Sequence, residues 1–361
     1  MKYYIISGET SGDQHASNVI RELSLLDAKA KFRGMGGDLS QQVGQKLTIH
    51  QKEMAIMGFI EILSSLFRIF KNLRIIKNDI LKWKPDAVLL VDYPGFNLRI
   101  AKFCKTIKIP VHYYIPPKVW AWRESRVKKI KAHIDFLYTI LPFETPYFNN
   151  RNISHTYVGN PSKESVDQYL KTHTAQADKK FIALLPGSRK QEISTSLPIM
   201  LEAVKGLDIP VLVAQAPGFE ADFYHLFGQD FTLLKGDMYT LLSKSKIALV
   251  TSGTATLETA LMGVPQIVCY RTTRLSYWIG KSVIQVNYIS LVNLILNKPS
   301  ITELIQHDFN AKNLSAEITT LLNNPNNVEK MKQDYATLHL EMGSSFPAKK
   351  VAKLIVDSLS H

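Results

Sequence analysis

Three short stretches carry residues whose types and spacing suit chemistry on an anionic or sugar ligand. SGETSGD (7–13) follows the apolar run Tyr3-Tyr4-Ile5-Ile6, and a strand running into a glycine turn and a helix is a common phosphate site. Its two carboxylates, Glu9 and Asp13, would repel a phosphate, so this loop is expected to hold something else. LLPGSRKQEI (184–193) places Pro186-Gly187-Ser188-Arg189 directly after a strand-like run, at the start of a helical pattern. Gly187 permits close backbone approach, the helix start offers free N–H groups with Ser188, and Arg189 adds a charge-assisted contact. A plain turn with a surface arginine fits this stretch equally well in isolation. TSGTATLETALMGVP (251–265) repeats the arrangement: Ser252, Gly253, Thr254 and Ala255 follow a strand, and Glu258 lies one helical turn after Thr254 on the same face. A carboxylate there can accept both hydroxyls of a ribose. Two anion-suited turns in one sheet point to a nucleotide more strongly than either turn alone.

The elements that must position these turns alternate along the chain. In the first half, β-rich runs occur at 2–6, 86–91, 109–114 and 134–140, with helical patterns near 14–26, 58–82 and 96–107 between them. Strands separated by helix-length segments indicate βαβ units and a parallel sheet. The polar stretch 160–180 reads as a linker. Alternation restarts with strands at 181–185, 209–214, 231–234, 247–251 and 265–270, and the pattern from about 301 onward is helical. The expected architecture is α/β: two Rossmann-like, doubly wound domains facing a cleft, with a helical C-terminal tail. The domains are placed at 1–165 and 175–345, and the tail at 346–361 is expected to pack back on the first domain. Ligands should gather where strand C-termini face the cleft.

Composition narrows the classes. The chain has 361 residues and a net charge of +13. Residues 1–160 hold 24 Lys+Arg against 13 Asp+Glu, a net of +11, whereas 161–361 hold 20 against 18, a net of +2. The first half therefore meets whatever anionic surface the protein prefers. A strand beginning by residue 3 leaves no room for a signal peptide. Cys104 and Cys269 lie far apart in apolar surroundings, as buried thiols of a reducing cytoplasm do, and no metal-ligand spacing appears.

These motifs together are recognisable. SGETSGD (7–13), EMAIMGFIE (53–61), DYPGFN (92–97), HYYIPPKVWAW (112–122), LPGSRKQEI (185–193), SGTATLE (252–258) and YISLVNLI (288–295) occur in the order found in lipid-A-disaccharide synthases. The chain resembles that family of GT-B-type glycosyltransferases of bacterial outer-membrane biosynthesis. It departs from the usual pattern at Asn160, where histidine is frequent, and at Val292, where proline is common. The resemblance implies that UDP-2,3-diacylglucosamine and 2,3-diacylglucosamine 1-phosphate (lipid X) are joined into a β-1,6 disaccharide 1-phosphate, with release of UDP. No DxD-like pair stands near the two turns, and Arg189 with the helix N-termini can hold the leaving diphosphate, so no metal or cofactor is expected. The resemblance assigns Gly187, Ser188, Arg189, Glu192, Ser252, Gly253, Thr254, Ala255 and Glu258 to the donor, and Asn293 to its vicinity by resemblance only.

On the acceptor side, Asp92 ends the run DAVLLV beside Tyr93 and Phe96, and Asn97 opens the next helix. Attack by a sugar hydroxyl on an anomeric carbon needs a proton acceptor. Asp92 fits that task, a turn aspartate before proline being the alternative, and Glu9 is the second candidate base. Direct displacement would invert the donor linkage. Ser11, Gly12 and Asp13 are expected to face the acceptor sugar, although Asp13 also suits a helix cap. Trp120 would cover a sugar or acyl chain, or simply pack its loop, and Lys118 and Arg123 are placed at the acceptor 1-phosphate.

Residues 54–70 form the most apolar segment, yet Glu61 and Arg68 interrupt it and it falls short of the ~20 apolar residues needed to span a bilayer. Either a core helix or a membrane-lying one fits. Arg68, Lys71, Arg74 and Lys77 recur every three residues beside it and favour the second. Met57, Phe59, Ile60, Leu63, Leu66 and Phe67, with Arg68, Lys71 and Arg74, are therefore assigned to the anionic cytoplasmic face of the inner membrane. No nucleic-acid module accompanies the charge. Residues 270–295, rich in aromatics, suit either a homodimer interface or a return to the cleft. A UDP-sugar epimerase or a non-catalytic UDP-sugar-binding membrane regulator are the alternatives; neither needs both Asp92 and an acyl-binding surface.

Overall fold

The computed structural model describes all residues except 55–61, 122–123, 174–178, 274–276, 278–285, 344–345 and 361, and only the backbone of 54 and 62–66. Contacts divide the chain into two units, Met1–Pro161 with Ser344–His361, and Ser162–Gly343.

The first unit is a parallel sheet of β1 (Lys2–Ser7), β2 (Lys31–Gly36), β3 (Gln45–His50), β4 (Ala87–Val91), β5 (Val111–Tyr114), β6 (Phe136–Thr139) and β7 (Thr156–Tyr157), in the order β3-β2-β1-β4-β5-β6-β7. Its helices are α1 (Thr10–Leu26), α2 (Asp38–Gln42), α3 (Ile62–Trp83), α4 (Pro94–Thr106), α5 (Ser125–His133) and α6 (Glu144–Asn149). Successive strand residues point to opposite faces, and both faces are apolar. Tyr4, Ile6, Val88 and Leu90 meet Leu73, Ile76 and Ile80 of α3 and Ile100 and Cys104 of α4. Tyr3, Ile5, Leu89 and Val91 meet Val19, Ile20 and Leu23 of α1, together with Val351, Ala352 and Ile355 of the C-terminal helix Pro347–Leu359.

The second unit repeats the plan with β8 (Phe181–Leu185), β9 (Val211–Gln215), β10 (Thr232–Lys235), β11 (Ser245–Thr251), β12 (Gln266–Tyr270) and β13 (Thr302–Ile305), ordered β10-β9-β8-β11-β12-β13. Helices α7 (Pro161–Thr172), α8 (Lys190–Val204), α9 (Ala221–His225), α10 (Met238–Ser243) and α11 (Thr254–Leu261) precede the helices of its C-terminal third. In each unit the strand order reverses once, between β1 and β4 and between β8 and β11, and such switch points open a crevice at the strand C-termini.

Three expectations need correction. Residues 161–172 are helix α7 rather than linker: Pro161 opens it, Val166 is buried, and the Tyr169 hydroxyl meets Thr240 Oγ1 at 3.0 Å. Strands β2 and β3 escape a search for apolar runs, because Gly34 and Gly36 dilute the first and Gln45, Lys46 and Thr48 the second. The stretch after 301 is not helical throughout. It opens with β13, whose Glu303 carboxylate accepts the amides of Ile289 and Ser290 at 3.0 and 2.9 Å.

Candidate active site

At the switch point of the second unit, a pocket of 380 Å³ collects both predicted turns. Gly187, Ser188, Arg189 and Glu192 come from the β8–α8 turn, and Ser252, Gly253, Thr254, Ala255 and Glu258 from the β11–α11 turn. Gly187 has φ 110°, and a side chain there would also come within 2.7 Å of Glu192, so the turn requires glycine. The Glu192 carboxylate accepts the amides of Ser188 and Arg189 at 3.0 and 3.2 Å and the Arg189 guanidinium at 3.0 Å. Two amides and a guanidinium thus converge on one anionic group, here an internal one. Glu192 is spent on capping α8, and an incoming phosphate would compete with it.

Glu258 accepts a hydrogen bond from the Tyr239 hydroxyl at 3.2 Å, and burial raises its pKa against the opposing hydrogen bonds of Ser162 and Tyr239. Gln215, Ala216, Pro217 and Met238 also line the pocket. The sequence signal for the first three was available, because β9 ends at Gln215 and Ala216-Pro217-Gly218 turn directly after it. Asn293 is not among the residues lining this pocket. Its amide nitrogen donates to Ile301 O and Glu303, and its oxygen accepts the amides of Ser300 and Ile301, so the side chain is a buried brace. A hydrogen bond from Ser252 Oγ to Ile289 O, 3.2 Å, ties that region to the β11–α11 turn.

In the first unit Glu9 follows β1 and Asp92 follows β4, on either side of the switch point. Asp92 and Tyr93 both adopt left-handed backbone, φ 47° and 46°, a costly pair for residues with side chains. Three hydrogen bonds hold the bend: Asp92 N donates to Tyr114 O at 2.9 Å, and Asp92 O accepts from the Tyr113 hydroxyl at 2.6 Å and Asn97 Nδ2 at 2.7 Å. The Asp92 carboxyl is pushed up to about 6, first by burial and then by the charge of Glu9, with the Tyr93 amide and Lys118 opposing. A carboxylate with that affinity can take a proton near neutral pH.

Other acceptor assignments separate. Glu9 and Ser11 are exposed at the start of α1, and Gly12 is buried against Ser7 and Val91 O. Asp13 is 1% exposed. Its carboxylate accepts the amides of Gly37, Leu39 and Ser40 and the Ser40 hydroxyl, capping α2. A group with both oxygens so engaged has nothing left for a sugar. Asn97 is buried too and serves the Asp92 bend, its Oδ1 lacking a partner among the described residues. Lys118 is exposed, Trp120 donates to Glu144 at 3.2 Å, and Arg123 lies outside the described residues. Gly8 and Glu144 were missed: a Cβ on Gly8 would overlap the Tyr93 ring.

The family model for lipid-A-disaccharide synthetase matches residues 3–357, nearly the full chain. The chain belongs to the lipid-A-disaccharide synthase family. A lipid-A-disaccharide synthase of Geobacter metallireducens is 32% identical over 98% of this chain and 96% of its own. Among solved structures, MurG of Acinetobacter baumannii aligns over 99% of both chains with a TM-score of 0.58 at 15% identity. A UDP-GlcNAc 2-epimerase of Methanocaldococcus jannaschii, in complex with UDP-GlcNAc and UDP, aligns over 100% of this chain and 99% of its own with a TM-score of 0.62 at 14% identity. The two structures establish the GT-B-type fold, and the family match makes the enzyme a glycosyltransferase of lipid A biosynthesis.

In this synthase, Gly8→Ala should leave a folded protein whose turnover falls at least about tenfold, because Tyr93 must move and carries Asp92 with it. Unchanged circular dichroism with reduced kcat is the expected pair of observations.

No described helix is long and apolar enough to cross a membrane. On α3, Leu73, Ile76 and Ile80 are core, while Phe67 and Phe70 are 76% and 60% exposed next to exposed Lys71 and Arg74 and half-buried Arg68. Met57, Phe59 and Ile60 lie outside the described residues, as do the side chains of Leu63 and Leu66. Between α3 and α4 runs a groove of 640 Å³ with Arg74, Lys77, Arg99 and Lys102 among its walls, together with Phe70 and Phe103, and no acidic residue. Of the stretch 270–295, residues 274–276 and 278–285 lie outside the described residues as well.

Proposed function

We propose that the enzyme transfers the diacylglucosaminyl group of UDP-2,3-diacylglucosamine to the 6-hydroxyl of 2,3-diacylglucosamine 1-phosphate. The products are the β-1,6 disaccharide 1-phosphate and UDP. The observation that carries this is Asp92, a half-buried carboxylate with a raised pKa at the strand switch point of a chain whose family makes such disaccharides. Asp92 takes the proton from the attacking hydroxyl as the oxygen forms its bond to the anomeric carbon. The bond from that carbon to the UDP oxygen breaks on the opposite side, so the linkage inverts. The amides of Ser188 and Arg189 and the Arg189 side chain take up the diphosphate in place of Glu192, and Glu258 holds the ribose. The epimerase alternative rests on fold likeness alone. Mass spectrometry of a reaction containing both lipid substrates tests the proposal, and UDP release without a disaccharide would refute it.

The same proposal places the enzyme on the inner membrane's cytoplasmic face. Phe67 and Phe70 enter the interface while the cations of α3 and the α3–α4 groove meet anionic headgroups, each contributing about 1 kcal/mol near such a surface. Reversing the charges of Arg68, Lys71 and Arg74 should reduce sedimentation with phosphatidylglycerol vesicles at least about tenfold. Undiminished binding would remove the membrane assignment.

A further inference from the structure

Glu144 opens α6 yet is 1% exposed, and its carboxylate is fully engaged. Oε2 accepts the amides of Ile140 and Leu141, both at 3.0 Å, just past the end of β6. Oε1 accepts the indole N–H of Trp120 at 3.2 Å. The ring of Trp120 stands edge-on to Phe143 with centroids 4.7 Å apart, and the Tyr147 hydroxyl donates to Val119 O at 3.2 Å. Two consecutive residues of the loop after β5 are thereby tied to α6 and its approach. That loop starts from Ile115 in left-handed backbone, φ 63°, and runs through Pro116 and Pro117, so its path is set at one end by strain and proline. At the other end Glu144 sets it. Between these anchors the loop carries Lys118, whose charge acts on Asp92 and on Glu144 alike.

We infer that Glu144 is a positioning residue for the acceptor: through its bond to Trp120 it holds the loop 115–121 so that Trp120 and Lys118 present a fixed surface beside Asp92. The inference rests on the acceptor assignment proposed above. A buried carboxylate is costly unless hydrogen-bonded. Burial pushes Glu144 up to about 7 despite three N–H donors and Lys118, so the fold bears a cost that an apolar residue would not impose. An apolar side chain could fill the space but could not hold an indole N–H and two strand-end amides at once.

The test uses the full-length protein and two variants. Glu144→Gln weakens the carboxylate anchor, while Trp120→Phe keeps an aromatic ring but removes the N–H and part of the indole's bulk. In both, tryptic cleavage after Lys118 should accelerate at least about tenfold, because the loop is released. The KM for the lipid acceptor should rise about tenfold while that for the UDP donor stays within about twofold. The double variant should be little worse than either single one, as expected for two partners of one bond. Unchanged cleavage overturns the inference, as does faster cleavage with an unchanged acceptor KM, or an equal rise in both KM values. If Glu144→Gln does not fold, the same readouts on Trp120→Phe decide. If wild-type protein makes no disaccharide, the proposed reaction falls, and the cleavage rates alone decide whether Glu144 anchors the loop.

Discussion

Asparagine in place of Asp92 lowers turnover by about 100-fold or more while UDP affinity stays within about twofold of wild type. General-base groups contribute roughly 10²–10⁴ in rate, and the amide keeps the shape of the side chain without its basicity. The pH dependence separates this from a structural effect. With Asp92 pushed up to about 6, the wild-type rate should fall as pH drops through that value, and the residual rate of Asp92→Asn should lack that limb. Stability should move the other way. A carboxyl whose folded pKa lies above its unfolded value holds its proton in the fold between about 4 and 6, where the unfolded chain has lost it. Folding stability therefore decreases as pH rises across that window and stays lowered above it. Neutral asparagine escapes this, so Asp92→Asn should melt at least about 2 °C higher than wild type at pH 8 and no higher at pH 4, by calorimetry. A variant that is both slow and less stable at pH 8 would assign Asp92 to the fold rather than the reaction.

Alanine in place of Arg189 is expected to weaken UDP binding by about 10- to 100-fold, the range for losing a hydrogen-bonded charge partner of about 1.5–3 kcal/mol. The Arg189 side chain is 81% exposed and, among the described residues, bonded to Glu192 three residues on, so it contributes little to the fold that other groups do not. Lysine should recover only part of the loss, because an ammonium cannot form the planar fork. Isothermal titration with UDP gives the answer directly. Full affinity in Arg189→Ala would make the arginine a helix brace and leave the diphosphate to the backbone amides.

The two turns proposed to hold the donor were legible as turns because their information is local. A strand, a glycine, a hydroxyl and an arginine within ten residues already specify what the backbone offers, and Gly187 to Glu192 and Ser252 to Glu258 gather in one pocket. The acceptor side was harder to read because its partners are distant in sequence. Asp13 is consumed by amides 24 to 27 residues away, and Trp120 by a carboxylate 24 residues on. No spacing rule distinguishes an aspartate that caps a neighbouring helix from one that meets a ligand. Asn293 shows the same limit, since its partners at 300–303 become visible only once β13 exists. The strands that escaped, β2, β3, β7 and β13, are short or glycine- and polar-rich, and their neighbours in the sheet compensate for their weak patterns.

The path of the chain through the two units sets an order on its synthesis. The second unit is continuous, from Ser162 to Gly343, and can complete its core as soon as it leaves the ribosome. The first unit cannot: one apolar face of its sheet is closed by Val351, Ala352 and Ile355, near the C-terminal end of the sequence. Until those residues emerge, Tyr3, Ile5 and Leu89 belong to a face that α1 covers without the C-terminal helix, and a partly covered apolar sheet invites aggregation or chaperone capture. The half of the molecule translated first is thus the half that finishes folding last.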